Sequence, residues 1–144
     1  MVLSYGTLYV MDTIFTKIIN RELPAHIAYE DEATIAFLDI HPVAMGHLLL
    51  VAREPIAWMQ DVPDELVSKM FIKAKSLMKA MIAGLKCDYV QLTVVGKDVP
   101  HFHIHLIPRH LSDRVDIISQ KIYNEGEAEV YLAQIKDGIK KASH

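Results

Sequence analysis

One cysteine, Cys87, occurs in 144 residues. A lone thiol closes no internal disulfide, so nothing in the fold calls for an oxidising compartment. No apolar run approaches the ~20 residues that a membrane-spanning helix needs. Residues 1–10 are mostly apolar but lack a basic flank and a small-residue cleavage site. That argues against a secretory signal and makes the cytoplasm the expected compartment. An excess of one charge is missing too: the formal net charge is −3 with histidines neutral. Neither a nucleic-acid duplex nor an anionic membrane is therefore an expected partner. Glycine and proline number six each, and no Gly/Ser-rich linker, repeat or low-complexity stretch divides the chain. The length suffices for one well-buried core and not for two. We expect residues 1–10 to be an N-terminal extension, with Met11 as an alternative start, and residues 11–144 to form a single domain.

What is present reads as alternating elements. Thr13–Asn20 has Ile14, Phe15, Ile18 and Ile19 at helical spacing, and Pro24 lies beyond its end. His26–Glu30 and Thr34–Asp39 read as short strands around the polar turn Glu30-Asp31-Glu32, and His47–Ala52 as a third. Asp61 is the expected N-cap of a long helix with Pro63 in its first turn. Leu66, Val67, Met70, Phe71, Ala74, Leu77, Met78, Met81 and Ile82 then recur at steps of three and four. This is an amphipathic helix expected to end near Gly84. Strands over Tyr89–Val95 and Phe102–Pro108 and a helix over about 125–141 complete the series. The order fits an α+β domain with a mainly antiparallel sheet and helices on one side.

The segment richest in chemistry is Pro100-His101-Phe102-His103-Ile104-His105-Leu106-Ile107-Pro108. Period-two alternation on a strand places three imidazoles on one face and Phe102, Ile104 and Leu106 on the other. Strand propensity gives no motive for that choice, because Val, Thr or Tyr would serve better. A solvated face would mix Lys, Glu, Thr and Ser, and the interleaved apolar residues exclude a tag. A single metal ion meets a distance problem. The Cα atoms of His101 and His105 would lie about 13 Å apart at ~3.3 Å per residue. An imidazole carries its metal about 6 Å from its own Cα, with a bond of about 2 Å. A two-histidine zinc site completed by His41 or His47 stays open. An extended phosphate suits the row better: a neutral imidazole is a competent nucleophile near neutral pH, and its neighbours can donate to phosphate oxygens.

His101-Phe102-His103-Ile104-His105-Leu106-Ile107 resembles the signature of the histidine triad (HIT) family, His-φ-His-φ-His-φ-φ with φ apolar. The likeness extends to 12–19, Leu23-Pro24-Ala25, Tyr29-Glu30-Asp31-Glu32, Ala36-Phe37-Leu38-Asp39-Ile40-His41-Pro42 and Gly46-His47-Leu48-Leu49-Leu50-Val51. It implies an α+β fold with a five-stranded antiparallel sheet, one long central helix and a C-terminal helix. It also implies a homodimer with a continuous sheet. By position, His103 would attack the α-phosphorus of a purine nucleotide and form a nucleotidyl-histidine intermediate. His101 and His105 would orient it, bind phosphate oxygens or assist the leaving group, and His47 would be a further active-site histidine. Asp39 would hold the ribose hydroxyls, and Ile14, Phe15, Ile18, Phe37, Leu38 and Ile40 would take the base. Substrates of that branch are AMP-type phosphoramidates and dinucleoside polyphosphates, with no cofactor.

The departures from the family pattern bear on substrate and metal. Many relatives carry Cys-x-x-Cys where this chain has Thr13 and Thr16, and with two histidines it binds a structural zinc. Hydroxyls are poor zinc ligands, so that metal is not expected here. The common Gly-Gln-Ser/Thr-Val before the triad is replaced by Gly96-Lys97-Asp98-Val99, where the phosphates and leaving group are expected. The usual upstream Asn-x-Gly has no counterpart in Leu92-Thr93-Val94-Val95. The third position separates branches: nucleotidyltransferases usually have Gln there, and His105 points to hydrolysis. Two other classes stand beside this one: a zinc-dependent hydrolase using the histidine cluster, and a nucleotide-binding interaction module with little turnover.

Overall fold

The computed structural model describes residues 12–114 and 120–143. The expectations for residues 1–10 and for Met11 lie outside the described residues. Helix α1 (Ile14–Ile19) is followed by β1 (Ile27–Glu30), β2 (Thr34–Leu38) and β3 (Leu48–Ala52). The long helix α2 (Asp64–Leu85), strands β4 (Tyr89–Thr93) and β5 (His103–Arg109), and α3 (Glu127–Ala142) complete it. The strands form one five-stranded sheet in the order β1-β2-β3-β5-β4, and every neighbouring pair is antiparallel. This is the expected α+β architecture. No helix among the described residues is long and apolar enough to cross a membrane.

Register decides which residues share a face. Phe37 pairs with Leu49, Leu49 with His105, Ile35 with Val51, and Val51 with His103. Alternation sends their neighbours Ala36, Leu38, Leu48, Leu50, Ile104 and Leu106 to the other side, where they pack with Met70, Ala74, Leu77 and Met81 of α2. The expectation that all helices share one side is corrected here. α1 lies on the opposite face, its Phe15 and Ile18 packed on Ile35, Phe37, Leu49 and Val51. The histidines thus sit beside α1, over a second, smaller core.

The long helix starts later than expected. Asp61 is not its N-cap but the last residue of a 3-10 turn, Met59–Asp61. Pro63 is extended, and its carbonyl accepts from Leu66 and Val67, so the helix begins at Asp64 without a side-chain cap. Asp64 and Glu65 supply negative charge to the first turn instead. Its end falls near Gly84, as expected. The helix runs through Leu85 and closes on Lys86 in the left-handed conformation. Gly84 serves a different end: a Cβ there would collide with the Gln134 carbonyl of α3, and one on Gly138 with the Ala80 carbonyl of α2. The two glycines let the helices cross in close backbone contact.

Asp31 fixes the β1–β2 turn. Its Oδ1 accepts from the Ala33 and Thr34 amides and the Thr34 hydroxyl, and its Oδ2 from the Tyr29 hydroxyl. β4 stops at Thr93, two residues short of expectation, and β5 begins at His103. His101 is therefore not a strand residue. It follows Pro100 in a tight turn, its amide donating to the Val99 carbonyl.

Candidate active site

Four segments converge on the histidines: α1, the loop from Asp39 to His47, the loop from Gly96 to Phe102, and β5. Hydrogen bonding to groups that can only donate or only accept sets the proton on each ring. His101 is fully buried, and its Nε2 lies 2.6 Å from the Ala52 carbonyl oxygen. A carbonyl only accepts, so Nε2 carries the proton and Nδ1 the lone pair. His103 Nδ1 lies 2.6 Å from the carbonyl of His101, so the same reasoning puts its proton on Nδ1. The lone pair of His103 is then on Nε2, which makes no hydrogen bond among the described residues.

The second half of the row is ordered from the loop. The Val43 amide donates to His47 Nδ1 at 3.1 Å, so His47 Nε2 bears the proton. That proton is given to His105 Nδ1 at 2.9 Å, which leaves the His105 proton on Nε2. One uncommitted lone pair and one uncommitted N–H thus stand two residues apart on the same face of β5, with ring centroids 4.9 Å apart. A nucleophile beside a hydrogen-bond donor is the pairing that attack on a phosphate ester or amide uses.

Burial keeps the rings neutral. It pushes His47 down to about 3, with the charges of His105, Arg109 and His103 adding to it. His105 is pushed down to about 4, again chiefly by burial. His101 and His103 are lowered for the same reason. Asp39 is shifted the other way, above the ordinary carboxylate range, because it too is desolvated.

Two clusters of side chains resemble metal sites in composition or position. At the zinc position of cysteine-containing relatives, the Thr13 and Thr16 hydroxyls lie 3.3 Å apart and Thr13 Oγ1 lies 3.4 Å from His101 Nδ1. Both hydroxyls are engaged in the capping box of α1. Two hydroxyls and an imidazole do not fit zinc. Asp39, His47 and His105 bring ligand atoms within 4.8 Å of one another. A metal-bound histidine ordinarily donates its other ring N–H, but here the outer nitrogen of His47 accepts from Val43. Its inner nitrogen therefore holds a proton where a metal would need a lone pair. His41, considered as a completing ligand, is exposed.

The expected nucleoside pocket divides. Phe15 stands edge-on to His103 at 4.8 Å and to Phe37 at 5.5 Å, and Ile18 packs beside them. Ile14 is exposed and Ile40 is 59% exposed, so they belong to a rim. Leu38 does not face this site. It lies in the core under α2, because its neighbour Phe37 takes the histidine side. Asp39 Oδ1 accepts from the His41 amide, and its Oδ2 lies 3.8 Å from His47 Nε2. Gly96 is buried with φ +80°, close above the ring of Trp58, whereas Lys97 and Asp98 are exposed and Val99 half-buried.

Sequence reasoning missed several supports. Thr13 was read as a lost zinc ligand, yet it contacts His101. Residues 111–124 yielded no chemistry, yet among those described the Tyr123 hydroxyl accepts from Gly46 and Lys121 donates to the Pro42 and Val43 carbonyls. These contacts pin the loop whose Val43 amide sets the His47 proton. No local pattern announces them, since the partners lie far apart in sequence.

A family model described as the HIT domain matches residues 20–111. An uncharacterised HIT-like protein of Methanocaldococcus jannaschii is 38% identical over 105 residues, covering 69% of this chain and 81% of its own. An adenosine 5′-monophosphoramidase of Saccharomyces cerevisiae is 42% identical over 101 residues, 67% of this chain and 61% of the yeast protein. A zinc-bound histidine triad family protein of Mycobacterium smegmatis matches in fold with a TM-score of 0.80 at 24% identity, over 93% of this chain and 97% of its own.

Proposed function

The chain belongs to the HIT family, and on that footing we propose that it is a nucleotide-binding hydrolase acting at the α-phosphate of purine nucleoside phosphoramidates or dinucleoside polyphosphates. The observation that carries this reading is the proton order. The Nδ1 proton of His103 is held by the His101 carbonyl at 2.6 Å, which leaves Nε2 free to attack. The likeness to a yeast adenosine 5′-monophosphoramidase favours an AMP-type amide as substrate.

In the first step the Nε2 lone pair of His103 forms a bond to the α-phosphorus. The bond to the leaving amine or phosphate breaks, and an amine leaves with a proton taken from solvent. Positive charge develops on the ring, and its Nδ1–H bond to His101 strengthens as it does. His105 Nε2–H donates to a non-bridging oxygen, held in that tautomer by His47. Water then attacks the phosphorus, loses a proton to solvent, and returns the electron pair to Nε2. Asp39 binds the ribose hydroxyls, Phe15, Ile18 and Phe37 take the base, and Gly96–Val99 borders the leaving group.

The test is hydrolysis of an adenosine 5′-phosphoramidate with and without chelator. His103→Ala should reduce turnover to background while AMP still binds, with wild-type activity unaffected by the chelator. Undiminished turnover by His103→Ala would overturn the mechanism. Loss of wild-type activity to the chelator would favour the zinc-dependent alternative.

A further inference from the structure

We propose that Thr13 is a positioning residue for the nucleophile, linking the cap of α1 to the ring of His103 through His101. Each ring nitrogen of His101 must be matched to a donor or an acceptor. His101 is fully buried, and a buried ring nitrogen left without a partner is costly. Its Nε2–H is spent on the Ala52 carbonyl at 2.6 Å, so its Nδ1 lone pair needs a donor. The hydroxyl of Thr13, at 3.4 Å, is its hydrogen-bond partner. That hydroxyl also accepts from the Thr16 amide as the N-cap of α1, so it receives with a lone pair and gives its proton to His101.

With both ring nitrogens committed, His101 has no donor for a phosphate. Its contribution is its carbonyl, which holds the Nδ1 proton of His103. The chain of bonds thus runs from the α1 cap, through the His101 ring, to the nitrogen opposite the one that attacks. The same helix carries Phe15, edge-on to His101 at 5.9 Å and to His103 at 4.8 Å. A nucleoside pressed against Phe15 and Ile18 therefore bears on the element that orders the nucleophile. This coupling rests on the hydrolase reading above, but the bond from Thr13 to His101 does not.

Three variants separate the roles. Thr13→Val removes the hydroxyl at equal size, Thr13→Gly keeps most of the capping propensity without it, and Thr13→Ser restores it. Thr13→Val and Thr13→Gly should lower kcat on an adenosine 5′-phosphoramidate about tenfold, the factor for one hydrogen bond of about 1.4 kcal/mol. KM should stay within about twofold of wild type, and Thr13→Ser should recover most of the rate. Nitrogen-15 NMR should find His101 as the Nε2–H tautomer in all four proteins, because the Ala52 carbonyl stays in place. Its Nδ1 resonance should be shifted in Thr13→Val and Thr13→Gly by loss of the donated hydrogen bond, and restored in Thr13→Ser. Wild-type kcat in Thr13→Gly, or an unchanged His101 Nδ1 resonance there, would overturn the proposal. A wild-type protein without hydrolase activity would sink the functional reading alone, because the Nδ1 measurement needs no turnover. If Thr13→Val fails to fold, the pair Thr13→Gly and Thr13→Ser still decides the matter.

Discussion

At the scale of single residues, the site works by keeping imidazoles neutral and assigning their protons. The ordinary histidine titrates near pH 6.5. His47, only 1% exposed, is held down to about 3, and His105 to about 4. A depressed histidine leaves the unfolded chain holding more protons than the folded one below its ordinary value. Its contribution is complete above about pH 6.5 and is lost as pH falls toward the folded value. Asp39, shifted upward, runs the other way, one group against four. We therefore expect stability to fall between pH 6.5 and pH 4.5, with His47 alone costing about 1 kcal/mol per pH unit. Urea denaturation at pH 7 and pH 5 reads this directly, and equal midpoints would contradict it. Three alternating histidines were legible as chemistry in the sequence. Their unequal jobs were not, because a tautomer depends on partners such as Ala52 and Val43 that no spacing reveals.

At the scale of elements, Gly84 and Thr13 carried more than their local pattern told. Gly84 looked like a helix stop because glycine commonly follows a last turn. Its actual constraint is the α3 backbone, and Gly138 answers it from the other helix. Alanine normally favours a helix over glycine by up to about 1 kcal/mol. Here Gly138→Ala should instead destabilise by about 1–3 kcal/mol, as overpacking does. A thermal melt decides between the signs, and a raised Tm would disprove the close crossing. The start of α2 was misplaced for a related reason. An Asp-x-Pro stretch satisfies the rules for an N-cap, but the 3-10 turn at Met59–Asp61 used Asp61 first.

At the scale of the whole molecule, the sheet ends in β1 on one side and β4 on the other. Family resemblance implies that two such sheets join into one. Sedimentation equilibrium at micromolar concentration should give twice the 16.3 kDa chain mass. A monomer under those conditions would refute the dimer. The described residues also show how remote segments meet on the site. Residues 120–124, close to the C-terminal helix, brace the loop bearing His47 more than 70 positions earlier.

The sequence by itself determined the strand and helix order, the antiparallel α+β class, and the alternating histidine row. It could do so because hydrophobic period and residue chemistry are local properties, written at spacings of two to four. Only the tertiary structure decided that α1 lies on the histidine side, that Leu38 turns away from the site, and that the His101 carbonyl accepts from His103 Nδ1. Those outcomes depend on register between β2, β3 and β5, and on hydrogen bonds closing over 49 to 88 positions of chain. Such pairings are selected by burial and by the cost of an unpartnered polar atom, and both exist only once the core has closed.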